Sequence, residues 1–165
     1  MKIKAILYEY HCANCESQFK APVYSAYGNF LLRNKSNEKL LFLNAISSKP
    51  FNEVSNIYDS LELLERLSES QKEDLFYDVV MVAYDSDEDS SNYEIGIDPN
   101  CLNCGHNKSS SYIETNPTEY VELDLREATS CKWDLLTDEE KVKVVENKIL
   151  ALMTEKEELC IAQPF

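Results

Sequence analysis

The chain has 165 residues, 44% of them hydrophobic, with ten Tyr, six Phe and one Trp, which is enough to bury a core; a single domain over residues 1–165 is expected. Sixteen Lys/Arg against thirty Asp/Glu leave a net charge of −14, a field that opposes nucleic acid and anionic lipid and attracts basic surfaces. No apolar run approaches the roughly 20 residues of a membrane helix, so no membrane association is expected.

The start, Met1-Lys-Ile-Lys-Ala-Ile-Leu-Tyr-Glu9, turns acidic early and has no small-residue cleavage site, which points to a cytoplasmic protein. Ile3 to Tyr10 is β-branched and aromatic, a strand running into Cys12-Ala-Asn-Cys15. Phe19 to Tyr27 reads as a second strand interrupted by Pro22, and Phe30 to Arg33 as a third after a turn at Gly28-Asn29. Leu40 to Ile46 suits a strand covered on both faces, with a short helix as the alternative.

From Asn52 the period changes. Val54, Ile57, Tyr58, Leu61, Leu64 and Leu67 recur every three or four residues, predicting one amphipathic helix. Ser70 and Glu73 fit a capping box, opening a second helix with Leu75, Phe76, Val79, Val80 and Ala83 as its apolar stripe, ending near Tyr84. Asp85 to Asn92 is an acidic loop. Asp85, Asp87 and Asp89 alternate as in a calcium loop, but Ser90 replaces the turn glycine and Gly96 the bidentate glutamate, so a solvated loop is expected.

Tyr93 to Ile97 reads as a strand entering Cys101-Leu-Asn-Cys104-Gly105, mirroring the approach to the first pair. Tyr112 to Glu114 leaves it, and Tyr120 to Leu125 alternates like a half-exposed strand. Thr137 and Glu140 form a second capping box, followed by a stripe of Val142, Val145, Ile149, Leu152 and Met153, with Lys141, Lys143 and Lys148 on other faces.

Two Cys-x-x-Cys pairs supply the four soft donors of a closed tetrahedral zinc site, with Cys12, Cys15, Cys101 and Cys104 as ligands and Zn²⁺ as a structural cofactor. Closing the loop of about ninety residues costs roughly 4 kcal/mol. A structural zinc site returns on the order of 10–16 kcal/mol, so the long-range pairing wins. A thioredoxin-like redox site would need a helix after the first cysteine; Pro22 and the β-leaning sequence oppose one. Cys131, two residues before Trp133, reads as a core thiol, while the reactivity of Cys160 is open. His11 and His106 flank the pairs and are expected to bond nearby backbone or line the surface. No Gly-rich phosphate loop, nucleophile elbow or His-Glu metal helix is present, so no enzymatic activity is expected.

Tyr10-His-Cys-Ala-Asn-Cys15 and Asn100-Cys-Leu-Asn-Cys-Gly-His106 resemble the zinc-ribbon family, the likeness covering the two hairpins and broken by an insert of 85 residues between Cys15 and Cys101. The resemblance implies an α+β fold: an antiparallel zinc-ribbon-like sheet (hairpins 1–27 and 93–126), a strand-plus-helix insert (28–92) and a C-terminal helical segment (127–165). In composition alone the chain is similar to bacterial immunity proteins. That likeness implies a basic protein partner, such as a nuclease toxin; the residues expected to bind it are acidic positions of the two predicted helices, Asp59, Glu62, Glu65 and Glu69 on the first and Asp74 and Asp78 on the second. The alternative is a zinc-ribbon adaptor of the transcription or translation machinery, with Lys20, Arg33, Lys35 and Lys39 as a basic patch.

Overall fold

The β-branched and aromatic residues at the amino terminus form the long strand β1 (Lys2–Cys12), and the first cysteine pair turns the chain back into β2 (Gln18–Pro22). The computed structural model describes residues 1–161 apart from 24, 27, 35, 37, 88–90 and 97; for 25, 26 and 156–161 it describes the backbone alone. The chain then continues through β3 (Ser25–Ala26), β4 (Asn29–Asn34), β5 (Leu40–Asn44), α1 (Lys49–Asp59) and α2 (Glu69–Val80). The short β6 (Tyr93–Glu94), β7 (Ser109–Glu114), β8 (Tyr120–Asp124), β9 (Arg126–Glu127) and the C-terminal α3 (Asp138–Ile161) complete the mixed α+β fold.

The chain divides into two compact units, each assembled from two stretches: residues 1–44 with 93–128, and 45–92 with 129–165. The hairpins expected at 1–27 and 93–126 fall in the first unit. Residues 28–44, expected with the helical insert, join it too. Charge follows this division. The first unit carries eight Lys/Arg against ten Asp/Glu, whereas the second carries eight against twenty.

The first unit holds two sheets. In one, β1 is central: β2 lies on one side, and β7 and β8 follow each other along the other, all antiparallel. In the second, β3, β4 and β5 are antiparallel, β6 pairs with β4, and β9 lies parallel to β5. The fully covered strand is β4, from Phe30 to Asn34, and not β5, where only Leu41 and Leu43 are buried. The segment expected as a strand over Tyr93–Ile97 is also corrected: only Tyr93–Glu94 is extended, and it pairs with β4 rather than approaching the second cysteine pair. Ile97 lies outside the described residues, as do Tyr24, Tyr27 and the Asp89 and Ser90 positions of the acidic loop.

In the second unit the helix expected from Asn52 to Leu67 starts earlier and stops sooner. Ser48 caps α1, its Oγ accepting from Phe51 N at 3.3 Å, and Pro50 sits in the first turn where no amide is needed. At the other end Ser60 turns its hydroxyl onto Ile57 O at 2.7 Å, competing with the helical bond, and Leu61 is extended. Leu64 therefore reaches the core from a separate 3₁₀ turn, Glu62–Leu64. The capping box of α2 is shifted by two residues: Ser68 and Gln71 satisfy each other's backbone, at 3.3 and 2.9 Å, in place of Ser70 and Glu73. The box at Thr137 and Glu140 forms as read.

Lys141 is not on an outer face of α3. It is buried, its ammonium 2.8 Å from Glu53 Oε2, which also accepts from Trp133 Nε1 at 2.7 Å. The Lys141 hydrogen bond, set against burial, holds the Glu53 carboxyl below its ordinary range, and Trp133 and Lys49 add to it. Val54, Tyr58, Leu75, Val79, Val80, Val145 and Ile149 are also buried in this unit.

Candidate metal centre

The first pair of thiols sits where β1 ends and the chain must reverse into β2. Cys12 N donates to Ser17 O at 3.0 Å and Glu16 N to Cys12 O at 3.1 Å, closing a tight turn with Glu16 at φ 58°. The second pair repeats this geometry. Cys101 N donates to His106 O and Gly105 N to Cys101 O, both at 2.8 Å, with Gly105 at φ 73°. Glycine adopts that left-handed conformation freely, whereas Glu16 holds it at some cost.

Two groups fix the second turn to the scaffold. Asp98 Oδ2 accepts from Ser109 N at 2.8 Å and from its hydroxyl at 2.5 Å, joining the entry of the turn to its exit. Buried Arg33 of β4 donates to Asp98 O at 2.7 Å, and Glu38 faces both Arg33 and Asn100.

These turns bring the four predicted ligands together. Cys12 Sγ lies 3.5 Å from Cys104 Sγ, and Cys15 Sγ 3.6 Å from Cys101 Sγ. All four sulfurs are within 4.8 Å of one another. A disulfide would require about 2.05 Å. A tetrahedron with metal–sulfur bonds of about 2.3 Å has edges of about 3.8 Å, so the separations suit an ion at the centre. Cys12 and Cys101 are buried, Cys15 is half-buried and Cys104 is exposed.

Donors surround the sulfurs with the same near-twofold order. Asn14 N points to Cys12 Sγ and Asn103 N to Cys101 Sγ, each at 3.4 Å. The two amide side chains then cross over: Asn14 Nδ2 is 3.7 Å from Cys104 Sγ, and Asn103 Nδ2 is 3.6 Å from Cys15 Sγ. Such donors favour thiolate over thiol and orient it. Ser17 Oγ lies 3.0 Å from Cys15 Sγ and 3.1 Å from Cys101 Sγ. The Ser17 contact is the main reason that Cys15 is brought down to about 5, and it also lowers Cys101. Burial instead pushes Cys12 up to about 11. A cluster with this spread surrenders its remaining protons when a cation arrives. The supporting side chains of Asn14, Asn103 and Ser17 were not singled out from sequence; the shared asparagine in Cys-Ala-Asn-Cys and Cys-Leu-Asn-Cys was the available signal.

Around the site, Tyr10 stacks on Phe19 with ring centres 5.6 Å apart, and Tyr112 of β7 touches Tyr10 and Tyr8 at 5.6 and 6.0 Å. His11 pairs with Gln18 at 3.3 Å and is not one of the clustered donors. Cys131 is exposed, which corrects its reading as a core thiol; Asp85 accepts from its backbone amide at 2.8 Å, and the carboxylate pushes the thiol up. The Cys160 side chain lies outside the described residues.

All six predicted partner-binding carboxylates are exposed, but they do not form one row. Asp59, Glu62, Glu65 and Glu69 line a half-open concavity of about 210 Å³ together with Tyr58, Leu61 and Lys72. Asp74 and Asp78 lie one turn apart on α2, about 140–180° around the helix from Glu69. Of the proposed basic patch, Arg33 is buried, Lys20 is paired with Glu119 at 2.5 Å, and Lys35 is outside the described residues.

No described helix is long and apolar enough to cross a membrane. The four cysteines thus form a group able to hold a metal ion, in a chain that matches no protein-family model, no curated protein and no solved structure.

Proposed function

We propose that this is a non-enzymatic, zinc-stapled interaction protein whose helical unit engages a basic protein partner, in the manner of an inhibitor or immunity protein. Cys12, Cys15, Cys101 and Cys104 would hold the ion in a closed shell, the site having the architecture of a zinc ribbon. Four thiolates leave no open position for substrate, so the zinc supplies cross-linking rather than Lewis-acid chemistry. Asn14, Asn103 and Ser17 hold the thiolates in place and offset their charge.

The observation that carries the partner reading is the segregation of charge. The unit with the thiols is close to neutral, while the helical unit has twenty Asp/Glu against eight Lys/Arg. A field concentrated on one unit steers a cationic partner and raises its association rate at low salt. Asp59, Glu62, Glu65 and Glu69 around the concavity would receive Lys or Arg side chains, with Asp74 and Asp78 adding to the field.

Affinity capture from native cytosol at low and high salt tests this, comparing the wild type with D59K/E62K/E65K/E69K. A basic protein retained at low salt and lost both with salt and with the quadruple variant is expected. Capture indifferent to both changes refutes the reading. RNA or DNA binding in a gel-shift titration would instead favour the adaptor alternative.

A further inference from the structure

β7 is an edge strand that is irregular only at its start, where the register with β1 shifts between His11–Ser111 and Cys12–Ser109. Among the described residues β1 is its one strand neighbour, and Ser110 to Glu114 are all exposed. Tyr112 and Ile113, on opposite faces, are 60% and 64% exposed. Open edges in soluble proteins are commonly blunted by Lys or Pro; residues 109–114, Ser-Ser-Ser-Tyr-Ile-Glu, contain neither.

The register identifies which backbone groups face outward. Thr115 N donates to Leu7 O while Leu7 N donates to Glu119 O, so Leu7 turns its backbone toward this side of β1, and alternation makes Glu9–Ile113 and His11–Ser111 the bonded pairs. Tyr112 and Glu114 then direct N–H and C=O away from β1. Along β8, Leu125 N donates to Met1 O, and the same alternation turns Glu122 and Asp124 outward. Residues 109–125 contain Glu114, Glu119, Glu122 and Asp124 and no Lys or Arg.

We propose that the outer edge of β7 is a docking strand that takes an extended, basic segment of a partner protein as an added β-strand. Backbone bonds at Tyr112 and Glu114 supply the pairing, Tyr112 and Ile113 give apolar contact on the two faces, and the carboxylates select cationic side chains. A second copy of this chain would be a poorer occupant, because it brings the same carboxylates and a net charge of −14. The surface belongs to the metal-binding unit and is independent of the acidic helical unit invoked above.

The probes are two fluorescent hexapeptides, one alternating Lys and Val and one alternating Glu and Val, titrated into the full zinc-loaded chain. Amide shifts from the Lys-Val peptide centred on residues 110–114, with weaker binding of the Glu-Val peptide, are expected. Tyr112→Pro removes the outward N–H without breaking the β1 ladder, and should bind about fivefold to tenfold more weakly than Tyr112→Ala, which keeps that N–H. Shift mapping on the wild type stands even if the proline variant does not fold. Shifts confined to the helical unit, equal binding of both peptides, or a concentration-dependent dimer paired through β7 would each overturn the proposal.

Discussion

Removing the carboxylate of Glu53 should destabilise the helical unit far more than a surface change would. The Lys141 side chain is 7% exposed and its ammonium is 2.8 Å from Glu53 Oε2, so Glu53→Ala strands a buried cation and also leaves Trp133 Nε1 without its acceptor. Breaking a buried pair from one side costs roughly 3–5 kcal/mol. Glu53 is itself 27% exposed, so water can enter the gap and the expected loss is about 2–3 kcal/mol. Lys141→Met added to Glu53→Ala removes the stranded charge and should recover at least about 1 kcal/mol. Urea unfolding followed by the fluorescence of Trp133, the chain's one tryptophan, reads this unit directly. The pH dependence has a defined sign. Because the folded carboxyl is held below its ordinary value, its contribution is complete above the unfolded carboxylate range and disappears as pH falls through the folded value. The gap between wild type and Glu53→Ala should therefore narrow on acidification. A Glu53→Ala loss under about 0.5 kcal/mol at neutral pH, or a double variant no more stable than the single one, refutes the reasoning.

Two further outcomes follow from the caps and the thiol cluster. Asn14→Ala and Asn103→Ala, by removing the crossed donors at 3.7 and 3.6 Å, should each weaken metal binding about tenfold or more in a chelator competition, with Cys104→Ser weakening it further. Ser68→Ala should cost about 1 kcal/mol by opening the α2 capping box, whereas Ser70→Ala should be near neutral; equal effects in urea melts would contradict the assignment of Ser68.

The two Cys-x-x-Cys turns, β1 and the cap of α3 are written locally in the sequence, because tight turns, β-branched and aromatic content and capping need only neighbouring residues. The segment from residue 48 to 71 is different. Ser68-Glu-Ser-Gln71 and Ser70-Gln-Lys-Glu73 satisfy the same capping pattern, and the helix takes the earlier one. The apolar period running through Ser60 continues past the point where a serine hydroxyl ends α1, so Leu64 keeps its core position from a different helix. Strand partners were the least legible. Pairing of Tyr93–Glu94 with β4 joins residues about sixty apart, and nothing near Tyr93 encodes it. Lys141 looked solvent-facing because its mate, Glu53, is 88 positions away.

The crossed asparagines mean that neither thiol turn is complete by itself. Each borrows an amide donor from a segment about ninety positions distant: Asn14 serves Cys104, and Asn103 serves Cys15. During synthesis the first turn emerges with two sulfurs and half its support, so tight ion capture must wait until Cys104 has left the ribosome. Occupancy of the site would then certify that the whole intervening stretch has been made and brought home.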